Sequence, residues 1–312
     1  MKPVIKTVSR ALVGIATLAV TAYVFAENPS YASMLSTVSL PHLAIVVFFS
    51  TLIHIGNAFL LKRVLDPFEI DLSIRRALAI TVAGRVGNLI SPLRAGDALK
   101  AVYLKKKANL PYTHFLSILI ATYVLSFLVV AVIGLVVLSA SPNIPGPPGL
   151  LAAFAISAAA CLLLLRAKPP LPFEIVEKVW SGWEMIRENR VLPSLIAILA
   201  FNLASSTLAM MAAFASFGAS VGLMQALMLA VVNSYSRLIT LTPGNLGAKE
   251  LALSYTLALF GGSLEEGMAA SVVVRVAELL SLAALFAFSL ASDAEKDGDI
   301  TGQTSGDEAG KE

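Results

Sequence analysis

Long runs of hydrophobic residues alternate with short polar segments along this chain. Two stretches, 108–165 and 191–236, contain no Asp, Glu, Lys or Arg. Because a membrane-spanning helix needs about 20 apolar residues, each stretch can hold two passes, or one pass and a broken segment. The pattern predicts six spanning helices, at 8–27, 41–61, 113–139, 149–165, 192–216 and 268–291. The predicted fold class is an all-α polytopic membrane helix bundle, a single membrane domain over residues 1–292.

Two further apolar regions, 77–104 and 222–260, are interrupted by similar motifs. The first motif, Ser91 to Asp97, reads SPLRAGD, and the second, Thr242 to Glu250, reads TPGNLGAKE. A bilayer tolerates broken, charged backbone only where protein or a water-filled cavity shields it. A pair of such breaks in corresponding halves indicates a transport site between repeats. We therefore predict two broken or re-entrant helical segments.

The flanks of the two motifs have matching spacing. Ala77 precedes Pro92 by 15 residues and Ala226 precedes Pro243 by 17. Tyr123 follows the first proline by 31 residues, and a later arginine on the last span follows the second by 32. The spacing predicts an inverted repeat of units 41–139 and 192–291.

Basic residues predict the orientation. Segment 62–107 holds ten Lys or Arg and segment 166–190 holds five, whereas 27–40 and 140–148 hold none. Basic loops face the cytoplasm, so the N-terminus is expected inside, on a retained signal-anchor helix. Region 77–104 must then start and finish inside, as a re-entrant segment or an even number of short crossings, and region 222–260 is expected to start and finish outside.

Composition supports a membrane protein with little polar structure of its own. Apolar residues make up 57% of the chain and charged residues 14%. The acidic tail 293–312 is rich in Gly, Ser and Asp, which predicts disorder. The interval 168–190 carries Trp, Ile and Val at helical spacing among charges, which predicts an amphipathic cytoplasmic linker helix, packed on its neighbours or sensing lipid. One cysteine, Cys161, allows no intrachain disulfide.

The first motif brings basic residues to a backbone break. Pro92 disfavours helix at the residue before it, and Gly96 permits close backbone approach. Arg94 is the best candidate to hold a phosphate, because its planar fork suits bidentate contact. Arg85 and Lys100 can assist it, and Asp97 can orient a cation or cap a half-helix. The alternatives are a structural Arg94–Asp97 ion pair and an Arg85 side chain that reaches the membrane interface.

The second motif has a comparable set of candidates. The head-group candidates are Arg237, Asn245, Lys249 and Glu250, around Pro243, Gly244 and Gly247. Arg275 and Glu278 follow on one face of the last span, where they can pair. An unpaired charge is costly there, so Arg275 is expected to bind Glu278, Glu250 or an anionic ligand. Asn88, in the first half, is predicted to join helices.

Most enzyme classes lack support in the sequence. No Ser–His–Asp set, acidic metal-nucleotide motif or Walker sequence is present, and the three histidines lack metal-ligand spacing. We therefore predict no cofactor, no metal and no nucleic-acid partner. Membrane lipids are the expected partners, with a separately encoded lipid-modifying enzyme and a homo-oligomer left open.

At its two motifs the chain resembles the lysylphosphatidylglycerol synthase transmembrane family, also described as flippase-like. The family's Pro-x-Arg-x-Gly-acid element is similar to Pro92–Asp97, and its Pro-x-Gly-x-Gly-x-x-Glu element is similar to the second motif, with Asn245 where Gly is common. The resemblance covers residues 8–291 and implies a helical bundle with re-entrant segments in a bacterial or archaeal inner membrane. Family members often carry a charged Arg-x-x-Asp pair in the first half, where this chain has Tyr123 and Ser126.

The resemblance implies a lipid translocase rather than an enzyme. Members fused to an aminoacyltransferase domain move aminoacylated phosphatidylglycerol between leaflets; this chain lacks that domain, so lysyl transfer is not expected. The expected substrate is an anionic phospholipid or a polyprenyl-phosphate-linked lipid. Two other hypotheses remain, namely a membrane-embedded glycosyl- or lipid-transferase using Asp97 or Glu250, and a non-transporting subunit of a separate enzyme.

Overall fold

The computed structural model describes residues 29–90, 94–140, 148–166, 174–238, 245 and 247–304, and these residues are mostly helical and contain no strand. The helices are α1 (Pro29–Ser36), α2 (Leu40–Leu65), α3 (Ile74–Ile90), α4 (Ala95–Ala108), α5 (Tyr112–Ser139), α6 (Pro148–Arg166), α7 (Glu174–Glu188), α8 (Leu192–Ala215), α9 (Leu223–Leu238), α10 (Ala248–Leu259) and α11 (Leu264–Thr304), with a short 3₁₀ helix at Asp66–Phe68. The predicted all-α fold class is confirmed.

Five of the described helices are long and apolar enough to cross a membrane. They are α2, α5, α6, α8 and α11, which begin and end close to the bounds that the hydrophobic runs predicted. The sixth predicted span, 8–27, lies outside the described residues. The chain is therefore a polytopic integral membrane protein.

Helices α2 and α8 form the centre of the bundle and run antiparallel. At one end the Ser39 backbone N–H donates to the Ser216 carbonyl at 2.7 Å. Toward the other end, Asn202 Nδ2 on α8 donates to Asn57 Oδ1 on α2 at 3.1 Å. Because the two helices point in opposite directions, the segments that follow them start at opposite ends of the bundle.

Each predicted interrupted region folds as a helical hairpin. Regions 77–104 and 222–260 become α3–α4 and α9–α10, whose paired helices pack against each other. In the second hairpin, Gln225 Nε2 near the start donates to the Phe260 carbonyl at its end, at 2.9 Å. Each hairpin thus returns to the end where it began, and its tip lies inside the bundle.

Apolar clusters pack both halves of the bundle, and one of them lies at the end where α2 begins. A cluster of buried residues joins the first half of α2 to the last half of α8 and to helices α10 and α11. Its members include Val46, Phe214, Leu253 and Val273, each at most 3% exposed. Burial of this apolar surface closes that half of the bundle.

The amphipathic interval folds as α7, which packs on α5. Ser117 Oγ on α5 donates to the Val179 carbonyl on α7 at 2.6 Å, and Trp183 is 1% exposed. The helix keeps Ile175 on its outer face, where it is 69% exposed. The structure describes the helix from Glu174 to Glu188, and residues 168–173 of the predicted interval lie outside the described residues.

Part of the acidic tail is described as a continuation of the last helix, and the disorder predicted for the tail stays a prediction. Helix α11 continues past the last span to Thr304, so residues 293–304 have a helical backbone, while 305–312 lie outside the described residues. Extension of an existing helix avoids the cost of nucleation, and the Ala, Glu and Lys in this segment are good helix formers.

Candidate functional site

Both hairpins turn at residues in the left-handed backbone region. Arg94 has φ 54° and Asn245 has φ 57°, and each stands two positions after the proline of its motif. Non-glycine residues rarely adopt this conformation, which a tight turn requires. The prolines themselves, Pro92 and Pro243, and Gly244 lie outside the described residues.

Close backbone contact holds the first hairpin together. A Cβ on Gly96 would lie 1.7 Å from the Gly84 carbonyl oxygen of α3, so only glycine fits there. Because Gly96 lies in the first turn of α4, its N–H has no acceptor within that helix. It donates instead to Asn88 Oδ1 at 2.9 Å. Asn88 therefore joins α3 to α4.

The second hairpin uses a related arrangement. Gly247, at φ 80°, precedes α10, and its N–H donates to Glu250 Oε2 at 2.8 Å. Asn245 Nδ2 donates to the Ser236 carbonyl of α9. An Asn side chain thus holds each tip, and a Gly stands there because of close backbone contact at Gly96 and positive φ at Gly247.

The two tips line one cavity of about 270 Å³. Nine of the predicted site residues contribute to its lining, namely Arg85, Asn88, Arg94, Asp97, Lys100, Asn245, Lys249, Arg275 and Glu278. Glu250 stands beside them as the partner of Arg275. Arg237 lies in the last turn of α9. The structure therefore brings together residues from both halves of the sequence.

At the first tip, Asp97 is surrounded by three donors. Lys100 Nζ lies 3.1 Å from Asp97 Oδ1, and Tyr123 Oη donates to Oδ2 at 3.2 Å. Arg94 Nη1 donates to the same tyrosine oxygen, and its guanidinium carbon lies 4.9 Å from the ring centroid. Arg94 Nη1 lies 3.9 Å from Asp97 Oδ2. Tyr123 links these two side chains.

At the second tip, Arg275 binds Glu250. Arg275 Nε and Nη2 approach Glu250 Oε1 at 2.8 and 2.5 Å, and Nη2 also donates to the Asn245 carbonyl at 3.4 Å. The sequence left three partners open for this arginine, and the structure provides Glu250. The contact ties α11 to the start of α10.

Glu278 connects the two hairpins. Its Oε1 accepts from Arg85 Nε of α3 at 2.8 Å, and its Oε2 lies 4.0 Å from Lys249 Nζ of α10. Arg85 was predicted either to assist the phosphate or to reach the membrane interface; here its guanidinium binds a carboxylate inside the bundle.

Positive charge exceeds negative charge around the cavity. The described lining carries five basic side chains and two carboxylates, and Glu250 adds a third carboxylate behind Arg275. Lys249 and Glu278 have side chains only 4% and 13% exposed. Charges shielded from water interact strongly, so an anion entering this cavity is favoured over a cation.

The sequence did not assign the neutral polar lining to the site. It comprises His54, Asn57, Thr81, Thr122, Ser126, Asn202 and Ser234, with Tyr123 beside them. The available signal was the presence of each polar residue within an otherwise apolar helix, but such residues also serve as interhelical contacts. Only packing distinguishes those that face the cavity.

The cavity occupies the half of the bundle opposite the packed apolar cluster. On α2 its lining starts at Ile53 and ends at Val64, and on α8 it includes Leu199 and Leu203. Since α2 and α8 are antiparallel, these segments lie at the same end. The cavity is thus lined by charged residues where the hairpin tips meet and by apolar side chains elsewhere, with polar residues among them.

Comparison with models of protein families identifies the family of the chain. The family model described as "Lysylphosphatidylglycerol synthase TM region" matches residues 8–285. No curated protein matches the chain.

Proposed function

The chain belongs to the lysylphosphatidylglycerol synthase TM family, and from that premise we propose that it moves an anionic lipid between the two leaflets of a membrane. The family indicates a lipid-related function in the membrane. The substrate class that fits the cavity is a phospholipid or polyprenyl-phosphate-linked lipid, whose phosphate binds the cations while its chains remain among apolar side chains or in the bilayer.

One observation carries this proposal. The tips of two hairpins that begin at opposite ends of the bundle line the same cavity, and that cavity has an excess of cations. A head group bound between the tips can be approached from either end if the hairpins move. Arg94 is the principal phosphate contact, because its guanidinium lies at the tip itself; Lys100 and Arg275 lie beside it in the same lining.

The antiparallel centre supports alternating access. A two-fold axis that exchanges antiparallel α2 and α8 lies perpendicular to them, and therefore in the membrane plane, as an inverted repeat requires. The same axis exchanges α3 with α9 and α11 with α5. Accordingly, α3 packs on α11 in one unit pair and α9 packs on α5 in the other. We propose that the two hairpins exchange roles during transport, so that the head group leaves on the other side.

This transport requires no ATP site in principle. A membrane potential contributes about 2.3 kcal/mol per elementary charge per 100 mV, so a cell that is negative inside favours outward movement of an anionic head group. The arginines and lysines of the cavity lower the cost of carrying that charge through the bilayer.

A reconstituted transport assay tests the proposal. Purified full-length protein is placed in liposomes with acyl-chain-labelled phosphatidylglycerol, and label in the outer leaflet is quenched by dithionite. We expect quenching beyond the outer leaflet. Arg94→Asn should abolish the extra quenching while retaining the fold, because Asn accepts the left-handed backbone.

Arg76→Asn is the matched control. Arg76 is an exposed cation on α3, so its removal changes the net charge equally and should leave transport unchanged. Quenching that stays confined to the outer leaflet for the wild-type protein, with phosphatidylglycerol and a polyprenyl phosphate and with an imposed potential, contradicts the proposal. An equal loss of transport in Arg94→Asn and Arg76→Asn would show a general effect of net charge instead.

A further inference from the structure

Asn88 has a second polar group besides the oxygen that joins the first hairpin. Its Oδ1 accepts from the Gly96 backbone N–H at 2.9 Å. Because a backbone N–H can only donate, the carboxamide oxygen must face α4, and the carboxamide nitrogen must be the other branch of the side chain. The orientation of this amide is therefore unambiguous, and its Nδ2 group is a donor that the contact with Gly96 does not use.

The Nδ2 group of Asn88 is accessible rather than enclosed. It makes no hydrogen bond within the part of the chain that the structure describes. Unlike Asn233 Oδ1, which is shielded and unpaired, it is not closed off by its neighbours. Asn88 lines the cavity between the two hairpin tips. Its two N–H bonds are therefore donors that water or a ligand in the cavity must satisfy.

Close packing between α3 and α4 holds this donor beside a cation. A Cβ on Gly87 would lie 2.8 Å from the Gly96 Cα, and a Cβ on Gly84 would lie 2.2 Å from Lys100 Cε. Gly84 and Asn88 are four residues apart, so the Lys100 side chain crosses the same face of α3 that carries the carboxamide. The position of Asn88 is thus fixed before any ligand binds.

An amide at position 88 is informative, because a carboxylate would hold the start of α4 more strongly. The N-terminal end of a helix favours negative charge, and Asn88 shares the cavity lining with Arg85, Arg94 and Lys100. Aspartate would keep the bond to the Gly96 N–H and gain attraction to these cations, but it would also occupy them and present no donor. Asparagine leaves the cations available and adds a neutral donor beside them.

We propose that Asn88 Nδ2 is a direct contact for an oxyanion bound at the first hairpin tip, and that it donates to the same phosphate group that Arg94 binds. The inference rests on the proposed function for the position of that group, and it gives a binding role to a residue that the sequence predicted only to join helices. A phosphate has several acceptor oxygens, so a neutral donor satisfies an oxygen that the guanidinium does not. A lipid head group and free phosphate share this chemistry, and the experiment distinguishes them.

Asn88→Asp tests the contact, because it keeps the bond to Gly96 and removes the donor. The carboxylate still accepts from the Gly96 N–H, so we expect a melting temperature at least as high as that of the wild-type protein. The full-length protein in detergent is titrated with inorganic phosphate and, separately, with dihexanoyl phosphatidylglycerol, and the increase in melting temperature gives each dissociation constant. We expect Asn88→Asp to weaken binding about ten- to hundredfold, the range for a hydrogen bond to a charged group.

Two further variants separate the contact from added charge and from packing. Asn57→Asp adds the same charge to the cavity lining, and its carboxylate keeps the bond that Asn57 Oδ1 accepts from Asn202 Nδ2 at 3.1 Å. It measures the effect of charge alone, and we expect a smaller loss of affinity than in Asn88→Asp. Asn88→Leu has nearly the shape of asparagine but no charge and no donor, so it should weaken binding about tenfold. It also provides the test if Asn88→Asp does not fold.

The contact is overturned if Asn88→Asp loses no more affinity than Asn57→Asp, if Asn88→Leu binds both anions as tightly as the wild-type protein, or if the wild-type protein binds neither anion. Weakened binding of inorganic phosphate supports the contact with phosphate alone as the ligand, and weakened binding of the lipid only supports it with a lipid head group. The dithionite assay decides the proposed function separately. If the wild-type protein binds an anion through Asn88 but moves no lipid, the contact stands and the proposed translocation fails.

Discussion

Arg85 and Glu278 are 193 positions apart in the sequence, and Arg85 Nε donates to Glu278 Oε1 at 2.8 Å. The contact crosses from α3 of the first predicted repeat to α11 of the second. Because Glu278 also lies 4.0 Å from Lys249, one carboxylate holds both hairpins against the last span. This arrangement fixes the relative position of the two tips around the cavity.

Loss of that carboxylate should destabilise the bundle. Glu278→Gln removes a carboxylate that binds Arg85 and lies near Lys249 inside the protein, and we expect a decrease in the free energy of unfolding of about 3 kcal/mol. SDS-induced unfolding of the purified protein measures it. Glu265→Gln, at an exposed position of α11, is the control and should change stability little. If the Arg85→Gln, Glu278→Gln double variant loses as much stability as the two single variants together, the two side chains do not interact.

Substitutions of Arg94 should separate charge from backbone conformation. Arg94→Asn and Arg94→Ala both remove the cation, so we expect both to lose transport. Only alanine is strained at φ 54°, and Arg94→Ala should be less stable than Arg94→Asn by about 1 kcal/mol. Thermal unfolding in detergent measures the difference. Equal stability of the two variants would contradict a left-handed turn at this tip.

A side chain at Gly96 should disrupt the first hairpin. The Cβ of Gly96→Ala would lie 1.7 Å from the Gly84 carbonyl oxygen and 2.7 Å from Asn88 Oδ1, so α3 and α4 must separate. We expect a loss of about 3 kcal/mol in stability and loss of transport. Gly149→Ala is the matched control, since a Cβ there meets no atom within 4 Å. A fully stable Gly96→Ala protein would exclude the close packing of the hairpin.

The hydroxyl of Tyr123 should position the phosphate contact. Tyr123→Phe removes the bond to Asp97 at 3.2 Å and the acceptor for Arg94. Because both partners are charged, we expect a loss of about 2 kcal/mol in stability and slower transport of phosphatidylglycerol in the dithionite assay. Tyr255→Phe is the control, since Tyr255 is 62% exposed. A transport rate that Tyr123→Phe leaves unchanged would show that Arg94 needs no support from this hydroxyl.

The sequence by itself determined the helices and the places where they break. Hydrophobic runs predicted α2, α5, α6 and α8 within a few residues, because the length of a span follows from the thickness of the bilayer. Proline and glycine at the two motifs predicted the hairpins, because backbone conformation at those residues is a local property. The charged residues of the cavity were also identifiable, since a charge in an apolar segment requires a partner or a ligand.

Only the tertiary structure decided which of these residues meet. Arg275 had three possible partners in the sequence, and the position of α10 against α11 selects Glu250. Arg85 could have reached the membrane interface, but the packing of α3 on α11 places Glu278 beside it. Asn202 and Thr81 gave no signal of their own, since a polar residue in a span can face either a helix or a cavity. Contacts over such long sequence separations depend on how whole helices pack, which no local pattern encodes.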